Sequence, residues 1–200
     1  VAILVVGFLT FPSLILSATV YFDLTSEEIF LEDVFIVDVK ITSLESNINV
    51  ADGAIVFNPE KFELKDVSTG GSVFSVWAET PTLSNSAGLI RFVGGAPEGF
   101  QDGNGLMFKA IFRAKETGTS ELAFTGNTAL FLSDGKGTKL EPGRESHVVE
   151  VEERPSEVEP KDEWESVKMQ DVTPPEPFEA VISRDSVLFD NQYFVSFLAT

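Results

Sequence analysis

Two hundred residues with 43% apolar side chains can bury one sizeable core, which excludes a globally disordered chain. A net charge of −18, from 32 acidic and 14 basic side chains, repels a polyanion and excludes nucleic acid as a partner. Cysteine is absent and histidine occurs once, at His147, so thiol nucleophiles, disulfides, His-based triads and ordinary zinc centres are excluded too.

Residues 1–18 carry no charge and are apolar almost throughout, ending in the small pair Ser17-Ala18. This fits an export signal cut near Ala18–Thr19, with its positively charged n-region missing. It also fits a membrane anchor left in place, because 18 apolar residues approach the roughly 20 that span a bilayer. A buried core helix fits poorly, since the segment has no polar face. Export by either of the first two routes places the remainder outside the cytoplasm, extracellular or at the cell surface. The membrane is then touched only through such an anchor.

From Thr19 to Val151 the apolar period is two. Phe35, Val37, Val39 and Ile41 alternate with Ile36, Asp38, Lys40 and Thr42, and residues 106–115 alternate in the same way. Such alternation predicts strands with one face on a core. Further strands are predicted at 20–24, 54–57, 62–68, 73–78, 89–93, 121–125, 129–132 and 147–151. Turn chemistry separates them at Asp52-Gly53, Asn58-Pro59, Gly70-Gly71, Gly94-Gly95, Asp102–Gly105, Thr117-Gly118 and Asp134-Gly135. No amphipathic helix stands out after Ala18. Many short strands at near-regular spacing argue an all-β, antiparallel sandwich or jelly roll.

Residues 152–171 break the pattern. Between Glu145 and Glu165 nine acids face only Arg154 and Lys161, and Pro155 and Pro160 interrupt the run. It reads as a solvated, self-repelling linker. Residues 172–200 then begin something new, with strand-like pieces at 179–183, 186–189 and 193–199. They are too few to close a core and read as the first strands of a truncated second β domain.

The order of these motifs resembles the cohesin family. The match runs through Phe35–Leu44, Ala54–Leu64 with Phe57-Asn58-Pro59, Gly88–Gly95, Gly105–Lys115 and Leu132–Thr138, covering about Thr19 to Val151. The resemblance implies a jelly-roll sandwich of about nine strands, without catalytic activity or a cofactor of its own. Its implied partner is a dockerin-type protein, which carries the calcium in the typical case. The resemblance extends to carbohydrate-binding sandwiches linked to polysaccharide breakdown, so a polysaccharide partner and a plain structural spacer stand as alternatives. Asp171–Phe178 resembles the entry to immunoglobulin-like repeats of bacterial surface proteins, which fits a modular extracellular chain.

Two residues emerge as partner-binding candidates. Counting back from Asn58, Asp52 matches an acidic position that contacts the dockerin in cohesins; the plain alternative is an Asp-Gly turn with Gly53. Gly94-Gly95-Ala96-Pro97 departs from the family, where many members carry polar partner-contacting residues. Trp77 could stack on a sugar or anchor a protein, or pack in the core or at an edge. By alternation it shares a face with Val73 and Ser75, opposite Phe74 and Val76. Asp102–Gly105 and Asp134–Gly137 place oxygen ligands in turns but lack the dense acidic spacing of a calcium loop. His147, in an alternating strand, reads as a surface or core residue rather than a base.

Overall fold

The computed structural model describes residues 18–26, 28–165, 178–184 and 193–199, and divides at Trp164/Glu165 into two units. The predicted export segment lies outside the described residues. So do 166–177, with most of the Asp171–Phe178 motif, and the piece predicted at 186–189. The first unit holds β1 (Thr19–Leu24), β2 (Val34–Thr42), β3 (Ile48–Val56), β4 (Phe62–Ser68), β5 (Val76–Ser84) and β6 (Leu89–Phe100). It continues with β7 (Gly105–Ala114), β8 (Gly118–Phe124), β9 (Ala129–Leu132), β10 (Lys139–Leu140), β11 (Gly143–Arg144) and β12 (His147–Val151). The second unit contains an antiparallel pair, β13 (Phe178–Arg184) with β14 (Tyr193–Ala199).

Two sheets face each other in the first unit, as the period-two pattern predicts. One has the order β11-β1-β2-β7-β4; the other runs β10-β9-β3-β6-β5, with β8 and β12 joined to it through β3. Pairing between the strands is antiparallel except for the short contact of β1 with β11. The all-β jelly-roll sandwich is therefore present.

Phenylalanine fills the space between the sheets. Phe35, Phe62, Phe92, Phe108 and Phe112 are almost wholly buried. Phe57 meets Phe112 edge-on at 5.2 Å, Phe35 meets Phe62 at 5.7 Å, and Phe92 meets Phe108 at 5.2 Å. Each such ring contributes about 2–3 kcal/mol by leaving water.

Two predicted turns are strand interiors instead. Asp52-Gly53 lies within β3 and Gly94-Gly95 within β6. Their glycines serve close approach, not positive φ. A Cβ on Gly53 would sit 2.7 Å from the Thr128 hydroxyl, and one on Gly94 would sit 2.8 Å from the Trp77 ring and 2.9 Å from that of Phe74. The strand predicted at 73–78 is also displaced, starting only at Val76. The Ser72 hydroxyl donates to the Met107 carbonyl at 2.6 Å and accepts the Phe74 N–H, holding the preceding residues off the ladder. Pro81 is tolerated in β5 because that strand is the sheet edge.

The acidic run does not leave the sandwich at Val151. Strand β2 outlasts β1, whose last paired residue is Leu24 opposite Val37, and so would expose a bare edge. Residues 152–164 cover it. The Val34 N–H donates to the Lys161 carbonyl at 2.9 Å, and the Ile36 N–H donates to Glu163 Oε2 at 3.1 Å. Trp164 packs on Val34, Ile36 and Ile111, which face outward from the sheet, and its indole N–H donates to Asp66 at 3.1 Å. The strap's anchor is Asp33, 2% exposed, which accepts from Arg154 at 2.9 Å, the Lys161 N–H at 2.7 Å and the Phe30 N–H at 2.9 Å. Burial pushes the Asp33 carboxyl upward, but the N–H groups of Lys161 and Phe30 and the Arg154 guanidinium outweigh it and hold the carboxyl below its ordinary value.

Two outcomes are expected. Phe112→Ala should cost about 3–5 kcal/mol in chemical denaturation, as a transfer loss plus a cavity. Arg154→Ala should cost about 3 kcal/mol by leaving Asp33 buried without its ion pair. Because the folded Asp33 carboxyl is depressed, its stabilisation is complete above the unfolded value near 3.8 and lost as pH falls through the lower folded value. Acid titration of Trp164 fluorescence, in a Trp77→Phe background, should show the strap releasing only in that range in the parent and at higher pH in Arg154→Ala.

Candidate protein-binding face

Strand alternation decides what the β9-β3-β6-β5 sheet shows to solvent. Ile48, Ala51, Ile55, Ile90 and Phe92 point into the core. Their neighbours therefore point out: Val50, Asp52, Ala54 and Val56 from β3, and Leu89, Arg91, Val93 and Gly95 from β6. Register places these side by side. Asp52 lies opposite Val93 on one flank and Ala129 on the other, Ala54 lies opposite Arg91, and Val76 of β5 lies opposite Gly95.

The surface that results is shallow and aliphatic. Val76 is 54% exposed and Val56 40%, while Gly95 adds no side chain between Val50 and Val76. Its charges are few: Asp52, Arg91 and, from β5, Glu79. Among the described residues none of these three is held by a side-chain hydrogen bond or ion pair. The opposite sheet differs. There Lys109 pairs with Asp38 at 2.6 Å and Lys40 with Asp23 at 2.6 Å, so its outward charges neutralise one another. This face therefore combines an aliphatic centre with charges that no side chain among the described residues engages.

The two candidate residues do not share this face. Asp52 is on it, exposed in mid-strand. Trp77 is opposite Gly94, whose side faces inward, and is half-buried, edge-on to Phe74 at 5.9 Å and to Phe108 at 6.3 Å. The alternation drawn from Val73 misplaced it relative to Phe74, because residues 73–75 precede the strand. Sequence reasoning also missed Val76, Val93 and Arg91. The signal was available in residues 89–93, but the glycine pair at 94–95 was taken to end the strand.

The oxygen-bearing turns are occupied by their own backbone. Asp134 accepts from the Lys136 N–H at 2.9 Å and the Thr138 hydroxyl at 2.5 Å, and these bonds, that of Thr138 first, hold its carboxyl below the ordinary value. Asp102 accepts from the Gly103 N–H, and its carbonyl takes the Ser43 N–H at 2.8 Å. Among the described residues no three His, Cys, Asp or Glu side chains gather as metal ligands would. His147 lines an open cleft between β12 and β1.

Comparison with known proteins places the architecture. No family model matches the sequence, and no curated protein does. Solved structures do match the fold. A type I cohesin in complex with a dockerin from Clostridium thermocellum superposes with a TM-score of 0.59 at 15% identity, covering 69% of this chain and 95% of that one. A non-cellulosomal cohesin from the archaeon Archaeoglobus fulgidus gives 0.56 at 15% identity, over 78% and 99%. The cohesin module of a family 33 glycoside hydrolase from Clostridium perfringens gives 0.55 at 14% identity, over 69% and 97%. The sandwich has the cohesin fold.

Because no side chain among the described residues holds Asp52 or Arg91, Asp52→Ala and Arg91→Ala should each change stability by no more than about 0.5 kcal/mol. Thermal melts check this, and confirm that both variants can be used in binding assays.

Proposed function

We propose that the chain is a non-catalytic binding module whose partner is a dockerin-type protein, docked on the outer face of β9-β3-β6-β5. The observation that carries this is the face itself: aliphatic, shallow, and bearing Asp52, Arg91 and Glu79 without side-chain partners among the described residues, on a sandwich with the cohesin fold. Several solved structures of that fold are cohesin–dockerin complexes. An uncommitted charge on an aliphatic surface loses less on docking than one that must first leave an internal ion pair. The setting consistent with this reading is a modular chain acting outside the cytoplasm, reached through the apolar segment at residues 1–18.

A polysaccharide partner fits the geometry less well. Sugar rings stack on coplanar exposed aromatics, and Trp77 is turned to the core. Tyr21 lies on the other sheet, where its hydroxyl meets Asn104 at 3.4 Å.

Calorimetry of the 200-residue chain against a panel of calcium-loaded dockerin modules tests the proposal. At least one should bind, and chelating the calcium should abolish the signal, because the ion orders the dockerin. Val93→Asp should then weaken that complex by about a hundredfold, since it buries an unpaired charge at the centre of the contact. Silence across the panel, or binding indifferent to Val93→Asp, would refute the assignment.

A further inference from the structure

The cleft beside His147 has an unusual construction. Strands β1 and β12 run in the same direction along the seam between the sheets, since β1 is parallel to β11, which leads into β12. The seam is closed at both ends. At one, Val20 O accepts the Glu145 N–H at 3.0 Å; at the other, Glu152 exchanges bonds with Ile29 and Leu31 at 2.9 Å. Between these closures no backbone hydrogen bond joins the two strands among the described residues. A cavity of about 380 Å³ opens there, lined by Phe22, Leu24, Ile29 and Val149 and rimmed by Asp23, His147 and Glu150.

Alternation tells which backbone groups face it. Thr25 N–H bonds to β2, at the Ile36 carbonyl, so the odd residues of β1 belong to that ladder. The Ala18 and Val20 carbonyls look the other way, to Gly143 and Glu145, so Phe22 and Leu24 turn both N–H and C=O toward the cavity. Past the end of β12, Glu152 bonds across the seam, so Val148 and Glu150 turn their N–H and C=O toward it while His147, Val149 and Val151 face β8. Four residues thus aim unsatisfied strand edges at one opening from both sides.

We propose that this seam is a strand-insertion site, taking a short extended peptide as an added strand between β1 and β12. A peptide backbone presents N–H and C=O pairs alternately to its two sides, at the repeat that these edges require. The closures leave room for about four residues, the paired length of Tyr21–Leu24. Phe22, Ile29 and Val149 call for an apolar side chain inward. At the rim Asp23 is engaged by Lys40, whereas Glu150 has no side-chain partner among the described residues, in a chain of net charge −18. The ligand class is therefore an extended peptide alternating aliphatic residues with Lys or Arg. The site is separate from the β9-β3-β6-β5 face and does not depend on a dockerin partner.

The probe is acetyl-Lys-Val-Lys-Val-Lys-amide, titrated into the 200-residue chain and followed by amide NMR shifts. Shifts should concentrate at Phe22, Leu24, Val148 and Glu150. Methylating the two valine amide nitrogens should weaken binding about tenfold or more, the value of one or two lost hydrogen bonds. Val148→Pro removes an N–H that faces the cavity and not β8, so it should preserve the fold on an edge strand and cost affinity similarly. Glu150→Gln should weaken binding severalfold while leaving the fold intact. The proposal is overturned if the peptide shifts nothing at millimolar concentration or shifts residues elsewhere. It is equally overturned if the methylated peptide binds as well as the parent, which would reduce the effect to attraction between opposite charges. Should Val148→Pro fail to fold, the methylated peptide alone decides.

Discussion

Close approach of the two sheets over a layer of phenylalanine rings is the constraint from which the rest of the molecule follows. The rings are large, so strand residues that would crowd them must be small. A Cβ on Gly94 would strike Trp77 and Phe74, and one on Gly105 would come within 2.5 Å of the Phe100 ring. Packing at this density leaves no slack for an extra methyl group. It also turns Trp77 inward, against Phe74 and Phe108. What remains outside on the β9-β3-β6-β5 sheet is short and aliphatic, and the proposed docking of a partner rests on that residue set.

The other sheet meets a different requirement. Its outward apolar residues, Val34, Ile36 and Ile111, need a cover, and β2 needs a partner beyond the end of β1. One strap supplies both. Asp33 draws it in by accepting from Arg154 and two backbone N–H groups, and Trp164 closes it over the apolar trio. The two faces of the sandwich are therefore unlike: one is roofed by the chain itself, the other is open to a partner.

The fold was legible because period-two alternation is a direct image of a sheet with one dry face. Residues 34–42 and 105–114 carried it without ambiguity. The errors share a cause. Gly53 and Gly94 look like turns in sequence because a glycine needed for positive φ and one needed for a neighbour's bulk are the same letter. The strap was read as a solvated run because its charges outnumber its apolar residues. A single buried carboxylate at Asp33, 121 positions before Arg154 in the sequence, overrides that count, and no local pattern announces it. Asp52 could be named from the family's motif order. Arg91 and Val93 stood in the alternation of residues 89–93, but Val76 could not be named, because its place on that surface depends on the register of β5 against β6 and its two irregularities.

The assignment of the open face is tested most directly by methyl cross-saturation in a complex with a calcium-loaded dockerin, the chain being deuterated except at its methyl groups. Saturation should fall on Val50, Val76 and Val93 and leave the strap-covered Val34, Ile36 and Ile111 untouched. Saturation of the second group, or of neither, would contradict the account.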